Sequence, residues 1–132
     1  MSTKIFVNLP VKDLAKSIEF FTAMGYRFDE KFTDDKAGCL VIADDILVML
    51  LTEPFFRSFT GKSIADTTRS TEAIIALSQD SRADVDRLAD AAYAAGARPA
   101  KETEGSPMYT RSFYDLDGHH WEIFLMDPAA LQ

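Results

Sequence analysis

Whether this chain does chemistry depends largely on what surrounds Glu122. It stands among Trp121, Ile123, Phe124 and Leu125, and a carboxylate in so apolar a strand is costly unless it is paired, metal-bound or open to water. His120 lies two residues earlier, which on a strand puts both side chains on one face. An imidazole and a carboxylate are two of the three protein ligands that a catalytic metal draws from such residues. A third is missing nearby. The only other histidine, His119, sits beside a turn, where polar side chains commonly satisfy backbone groups, and no cysteine is close in sequence. The lone Cys39, followed by Leu40, Val41 and Ile42, reads as a small buried residue: its nearest base, Lys36, falls outside that strand, and a reactive thiol needs an activating charge.

The segment that must position Glu122 is a hairpin over residues 111–125. Aromatic and aliphatic residues alternate on both sides of Asp117-Gly118, a dipeptide suited to the positive backbone angles of a tight two-residue turn. Such a turn pairs Phe113 with Glu122 and Arg111 with Phe124. Arg111 then lies diagonal to Glu122, within ion-pair reach. An odd-numbered loop reverses which side chains share the face of Glu122.

The rest of the chain repeats one order of elements. Ile5 to Leu9 alternates as a strand, Pro10 ends it, and Asp13 caps a helix whose face carries Leu14, Ile18 and Phe21, with Gly25 as its stop. Strands are expected at 26–32, 38–43 and 46–52, with Asp44-Asp45 turning between the last two. The second half opens with a strand at 72–78 and a helix capped by Ser81, with Asp84 three residues on. Val85, Leu88 and Ala92 mark that helix's face and Gly96 stops it, before strands at 98–103, 109–115 and 119–126. The halves are offset by about 68 residues, too long for a solenoid period. The reading is an α+β chain of two tandem βαβββ modules, residues 1–53 and 71–132. Residues 54–70 join them and hold Phe55, Phe56 and Phe59, which suit a ligand lid, a subunit contact or padding at the edge of the core.

Composition narrows the function. The chain has 132 residues, of which 47% are hydrophobic, enough for one domain with a real core. The net charge of −7, with scattered lysines and arginines, argues against nucleic acid as a partner. A single cysteine fits a reducing compartment. No secretory leader is evident at the N-terminus, and the longest apolar run, from Ile46 to Leu51, is too short to span a membrane. A cytoplasmic protein is expected.

Two motifs carry a family resemblance. Leu9-Pro-Val-Lys-Asp-Leu-Ala-Lys-Ser-Ile-Glu-Phe-Phe21 is similar to the opening strand-to-helix segment of the vicinal oxygen chelate superfamily, which includes glyoxalase I, bleomycin-resistance proteins and extradiol dioxygenases. Phe113-Tyr-Asp-Leu-Asp-Gly-His-His-Trp-Glu122 resembles its closing hairpin, with Leu116 in place of a common proline. The resemblance implies half-open, cup-shaped mixed sheets with helices outside, often paired as a homodimer. It also implies a metal held by four positions, which fall here on Phe6, Met49, Ile74 and Glu122. Phe6 and Ile74 cannot ligate, and a thioether suits only soft ions, so the resemblance implies the fold while denying the usual metal chemistry.

Alternation then assigns a cup face of Phe6, Asn8, Met49, Leu51, Ile74, Arg111, Phe113, His120, Glu122 and Phe124. Mostly apolar walls with a few polar groups describe a small-molecule pocket; they equally describe a filled core, with Phe6 as the plug. The leading expectation is a binder of a small, partly aromatic or amphipathic molecule, with no cofactor and no metal. The alternatives are a lyase, isomerase or dioxygenase-type enzyme using Glu122 as acid/base or residual metal ligand, and a ligand-free structural or regulatory dimer. Glu122 itself is expected to pair with Arg111.

Overall fold

The computed structural model of the chain describes residues 3–101 and 108–126. It divides into two compact units, Met1–Ala65 and Asp66–Gln132, each built on one four-stranded mixed sheet.

In the first unit, β1 (Ile5–Val11) leads into α1 (Leu14–Ala23), followed by β2 (Arg27–Phe28), β3 (Ala37–Ala43) and β4 (Ile46–Thr52), with the sheet ordered β1-β4-β3-β2. The Asp13 carboxylate accepts from the Lys16 backbone N–H at 3.1 Å and caps α1 as expected. Leu14, Ser17, Phe20 and Phe21 form the buried stripe. Two expectations need correction. Pro10 does not end β1, which runs on to Val11; β1 is an edge strand, and an edge tolerates the missing N–H. The strand expected at 26–32 shrinks to two residues. Asp29 accepts from the Lys31 N–H at 2.9 Å and starts a single 3-10 turn, Glu30–Phe32, because a capping aspartate competes with the ladder for local backbone.

In the second unit, β5 (Ile74–Gln79) leads into α3 (Arg82–Ala94), then β6 (Arg98–Pro99), β7 (Thr110–Tyr114) and β8 (His120–Leu125), ordered β5-β8-β7-β6. The Ser81 hydroxyl caps α3 through the Asp84 N–H at 3.1 Å. Expected strand residues 102 and 103 lie outside the described residues. The element order is therefore βαβββ twice, as the sequence implies. The joining segment is less of a linker than expected: α2 (Glu53–Arg57) packs on β1 and β4, and Thr67 donates to the Asp117 carbonyl in the second unit's hairpin.

That hairpin corrects the turn. Gly118 N–H donates to the Asp115 carbonyl and Asp115 N–H to the His119 carbonyl, both at 3.0 Å. The loop is Leu116-Asp117-Gly118, three residues rather than two, with Gly118 at φ +81°. The observed pairs are Tyr114↔His120, Phe113↔Trp121, Ser112↔Glu122, Arg111↔Ile123 and Thr110↔Phe124. An odd count flips β7 relative to the two-residue turn.

The first unit reaches the same parity differently. Its turn is Asp44-Asp45, but a register shift at Ile42 brings Val41 opposite Leu47 and Cys39 opposite Met49. Five residues thus separate Val41 from Leu47, and five separate Tyr114 from His120. Across the parallel pairs, Asn8 lies beside Met49 and Ala76 beside Glu122, so Met49 and Glu122 hold corresponding places.

Gly118 offers a direct check. A Cβ there would meet Thr67 Oγ1 at 2.7 Å, in a backbone region that side chains disfavour. Gly118→Ala is expected to lower stability by about 1–3 kcal/mol, read as an earlier urea midpoint; an unchanged midpoint would refute this account of the loop.

Candidate functional site

The register fixes which side chains share the face of Glu122. On β8 they are His120, Glu122 and Phe124; on β7, Thr110, Ser112 and Tyr114; on β5, Ile74, Ala76 and Ser78. The opposite face belongs to α3. There Trp121, Ile123 and Phe113 are buried, and the Tyr93 ring meets Phe113 edge-on at 6.4 Å. Phe113 is therefore core, not cavity wall.

Arg111 also lies on the helix side, which overturns the expected pairing with Glu122. Its Nη1 donates to Asp86 Oδ1 at 2.8 Å and its Nη2 to Asp90 Oδ1 at 3.0 Å. The Tyr109 hydroxyl donates to the same Asp86 oxygen, and the Arg82 guanidinium stacks 4.0 Å from the Tyr109 ring centroid. The tyrosine hydrogen bond first, then that of Arg111, hold the Asp86 carboxyl below its ordinary value. The sequence reading missed this pairing because it depends on loop parity. The i, i+4 spacing of Asp86 and Asp90 was the available signal.

What Glu122 meets instead is His120. Nε2 of His120 and Oε1 of Glu122 are 3.7 Å apart, with 11% and 21% of the side chains exposed. That distance suits ionic attraction but exceeds a hydrogen bond. The Tyr114 ring packs edge-on against the imidazole at 5.3 Å. Nε2 is buried and has no hydrogen-bond partner among the described residues. Small Ala76 and Ser112 flank Glu122 across the two neighbouring strands.

His119 takes a different part. It is buried, its Nδ1 lies 2.7 Å from Glu72 Oε1, and its backbone N–H donates to Asp115 Oδ1 at 3.0 Å. Asp115 Oδ1 also accepts from the Asp117 N–H at 2.9 Å, and Oδ2 from Trp121 Nε1 at 2.9 Å. Burial pushes the Asp115 carboxyl up, against the His119 charge and these donors, which pull it down. Sequence reasoning passed over Asp115, although an aspartate opening a turn that holds Asp-Gly was a usable signal.

In the first unit Phe6, Asn8, Met49 and Leu51 do share one face, with Cys39 beside Met49. Phe6 is 51% exposed, whereas Leu51 is buried. Burial, then Asp29, pushes the Cys39 thiol up, in keeping with a packing role. Ile74 is 54% exposed, and Phe59 is 69% exposed with its ring edge-on to half-buried Phe55 at 5.0 Å. Phe56 is half-buried.

The four positions at which the resemblance places a metal do not fit one. Phe6 and Ile74 have no donor atom, and His120 brings the set around Glu122 to two. Among the described residues no three His, Cys, Asp or Glu side chains gather into a metal site, and a catalytic divalent ion needs about three.

A family model described as "Glyoxalase/Bleomycin resistance protein/Dioxygenase superfamily" matches residues 5–123. No curated protein gives a significant match. Among solved structures, the chain is similar to hypothetical protein SA1046 from S. aureus, with 28% identity, TM-score 0.78, and coverage of 96% of this chain and 95% of that one. It is also similar to a glyoxalase/bleomycin resistance protein/dioxygenase family enzyme from Burkholderia phytofirmans (17%, TM-score 0.75, coverage 94% and 98%). The fosfomycin resistance protein FosX from Mesorhizobium loti matches at 19% identity and TM-score 0.68, with coverage of 98% and 96%. No helix among the described residues is long and apolar enough to cross a membrane.

The Asp86 contacts predict a pH dependence. Because the folded-state value is depressed below 3.8, the contribution is present above 3.8 and is lost as pH falls through the folded value. In urea unfolding, the advantage of the wild type over Asp86→Asn should hold steady at neutral pH and shrink under acid conditions. An advantage that grows with acidification would contradict the assignment.

Proposed function

The chain belongs to the glyoxalase/bleomycin resistance protein/dioxygenase superfamily, and on that premise we propose that it binds a small, partly aromatic or amphipathic molecule without the divalent metal of metal-dependent relatives. The observation that carries this reading is the donor set on the β5-β8-β7 face. One carboxylate and one imidazole sit close together, flanked by Tyr114, Phe124 and Ile74. Apolar walls with a few convergent polar groups are the usual make-up of a ligand site, and two donors are too few for a catalytic ion.

Binding through Phe124 and its neighbours is a matter of apolar contact and needs no charge transfer. A ligand present at about a hundredfold excess over its Kd would add about 2.7 kcal/mol to stability. Screening the purified protein against small aromatic compounds by thermal unfolding is expected to find such stabilisation, and Phe124→Ala to weaken the hits by about tenfold, roughly 1.4 kcal/mol. Mass spectrometric metal analysis is expected to find zinc, nickel, iron and manganese all well below one ion per chain. Stoichiometric metal, or no stabilisation by any compound, would overturn the proposal.

A further inference from the structure

We infer that His120 and Glu122 together hold a hydroxyl group of the bound molecule, its oxygen bridging Nε2 and Oε1 from one side. This rests on the small-molecule reading above and adds the chemical class: neutral compounds carrying a phenolic or alcoholic hydroxyl on an apolar frame.

The geometry supplies the argument. Nε2 and Oε1 are 3.7 Å apart, too far to satisfy each other. One oxygen at a normal hydrogen-bond length of about 2.8 Å from both can bridge them, set off the line that joins the two atoms. A carboxylate only accepts, while an imidazole nitrogen donates or accepts according to its tautomer. A hydroxyl can give its proton to Glu122 and accept one from Nε2, meeting both needs with a single group. A ketone or ether would leave the carboxylate without a donor, and a ligand carboxylate would set two like charges side by side.

The surroundings agree. Nε2 has no partner among the described residues, so the nitrogen lacks what the hydroxyl would provide. Glu122 reaches to 3.7 Å from it on a flexible side chain that is a fifth exposed, and a change of rotamer admits the incoming oxygen. The Tyr114 ring steadies the imidazole edge-on at 5.3 Å, leaving Phe124 and Ile74 on the same face to meet the apolar remainder. Arg111, which would have competed for Glu122, is held on the other face by Asp86 and Asp90. A water molecule has the same hydrogen-bonding chemistry, and the test separates the two.

p-Cresol and toluene differ by one hydroxyl and serve as probes. Their binding, followed by NMR of the protein, is expected to favour p-cresol by about tenfold or more, with the His120 imidazole resonances moving only for p-cresol. His120→Phe keeps an aromatic ring against Tyr114 and should erase the preference while toluene still binds. Equal affinity for the two probes, still imidazole signals, or a preference that survives His120→Phe would overturn the inference while leaving the small-molecule reading intact; equal affinity is also what a retained water would give. Binding of neither probe would overturn this inference, and the unproductive compound screen would then mark the broader reading as failed too.

Discussion

Three N–H groups converge on the carboxylate of Asp115: those of Asp117, His119 and the Trp121 indole. Hydrogen bonds to a charged acceptor contribute more than neutral ones, and an acceptor this deeply buried cannot exchange them for water. Together they make the connection between β7 and β8 a three-residue loop and lock Trp121 into the core. With Trp121 facing α3, Glu122 and His120 must face the other way, since neighbours on a strand alternate. The arrangement of the candidate site is thus inherited from a carboxylate that takes no part in it. The adjacent His119–Glu72 contact ties the same hairpin to the start of β5, so the strand flanking Glu122 on its far side is anchored at the same end.

Much of the fold was legible because it rests on short-range signals. Asp13 and Ser81 cap their helices as the sequence implies; the expected face of α3, Val85, Leu88 and Ala92, is buried, and in α1 Leu14 and Phe21 are buried while Ile18 is half-buried. The family model confirms the resemblance read from two motifs. The site was legible only in part. The co-facial placement of His120 and Glu122 follows from a period of two within one strand, and it held. The partner expected for Glu122 required knowing how many residues close a turn. That count depends on where a buried side chain sends its lone pairs, and Asp-Gly alone does not declare it. Arg111 and Phe113 went to the wrong face for that single reason.

The two units also divide the work unequally. The face carrying Phe6, Asn8 and Met49 offers a thioether and an amide, and Asn8 spends its Nδ2 on the Phe6 carbonyl at 3.2 Å. The corresponding face of the second unit keeps both an acid and a base. A superfamily with many activities changes function by altering a handful of such positions while the packing beneath persists. Here Phe6 and Ile74 carry no donor atom, and Glu122 stands beside His120.

The matched spacing of the two hairpins bears on how such a chain can diverge. One half turns on two aspartates with a slipped register, the other on a glycine-ended loop, yet both enclose five residues between corresponding pairs. Exchange of a side chain on the site face is a local change that selection can try one position at a time. Gain or loss of one residue between 114 and 120 is not: it would trade the whole outward row of β7 for the inward one, exposing Phe113 and burying Tyr114 in a single mutational step. Residue number in these turns thus constrains the sheet more strictly than residue identity does, because only a change in number moves a whole row of side chains at once.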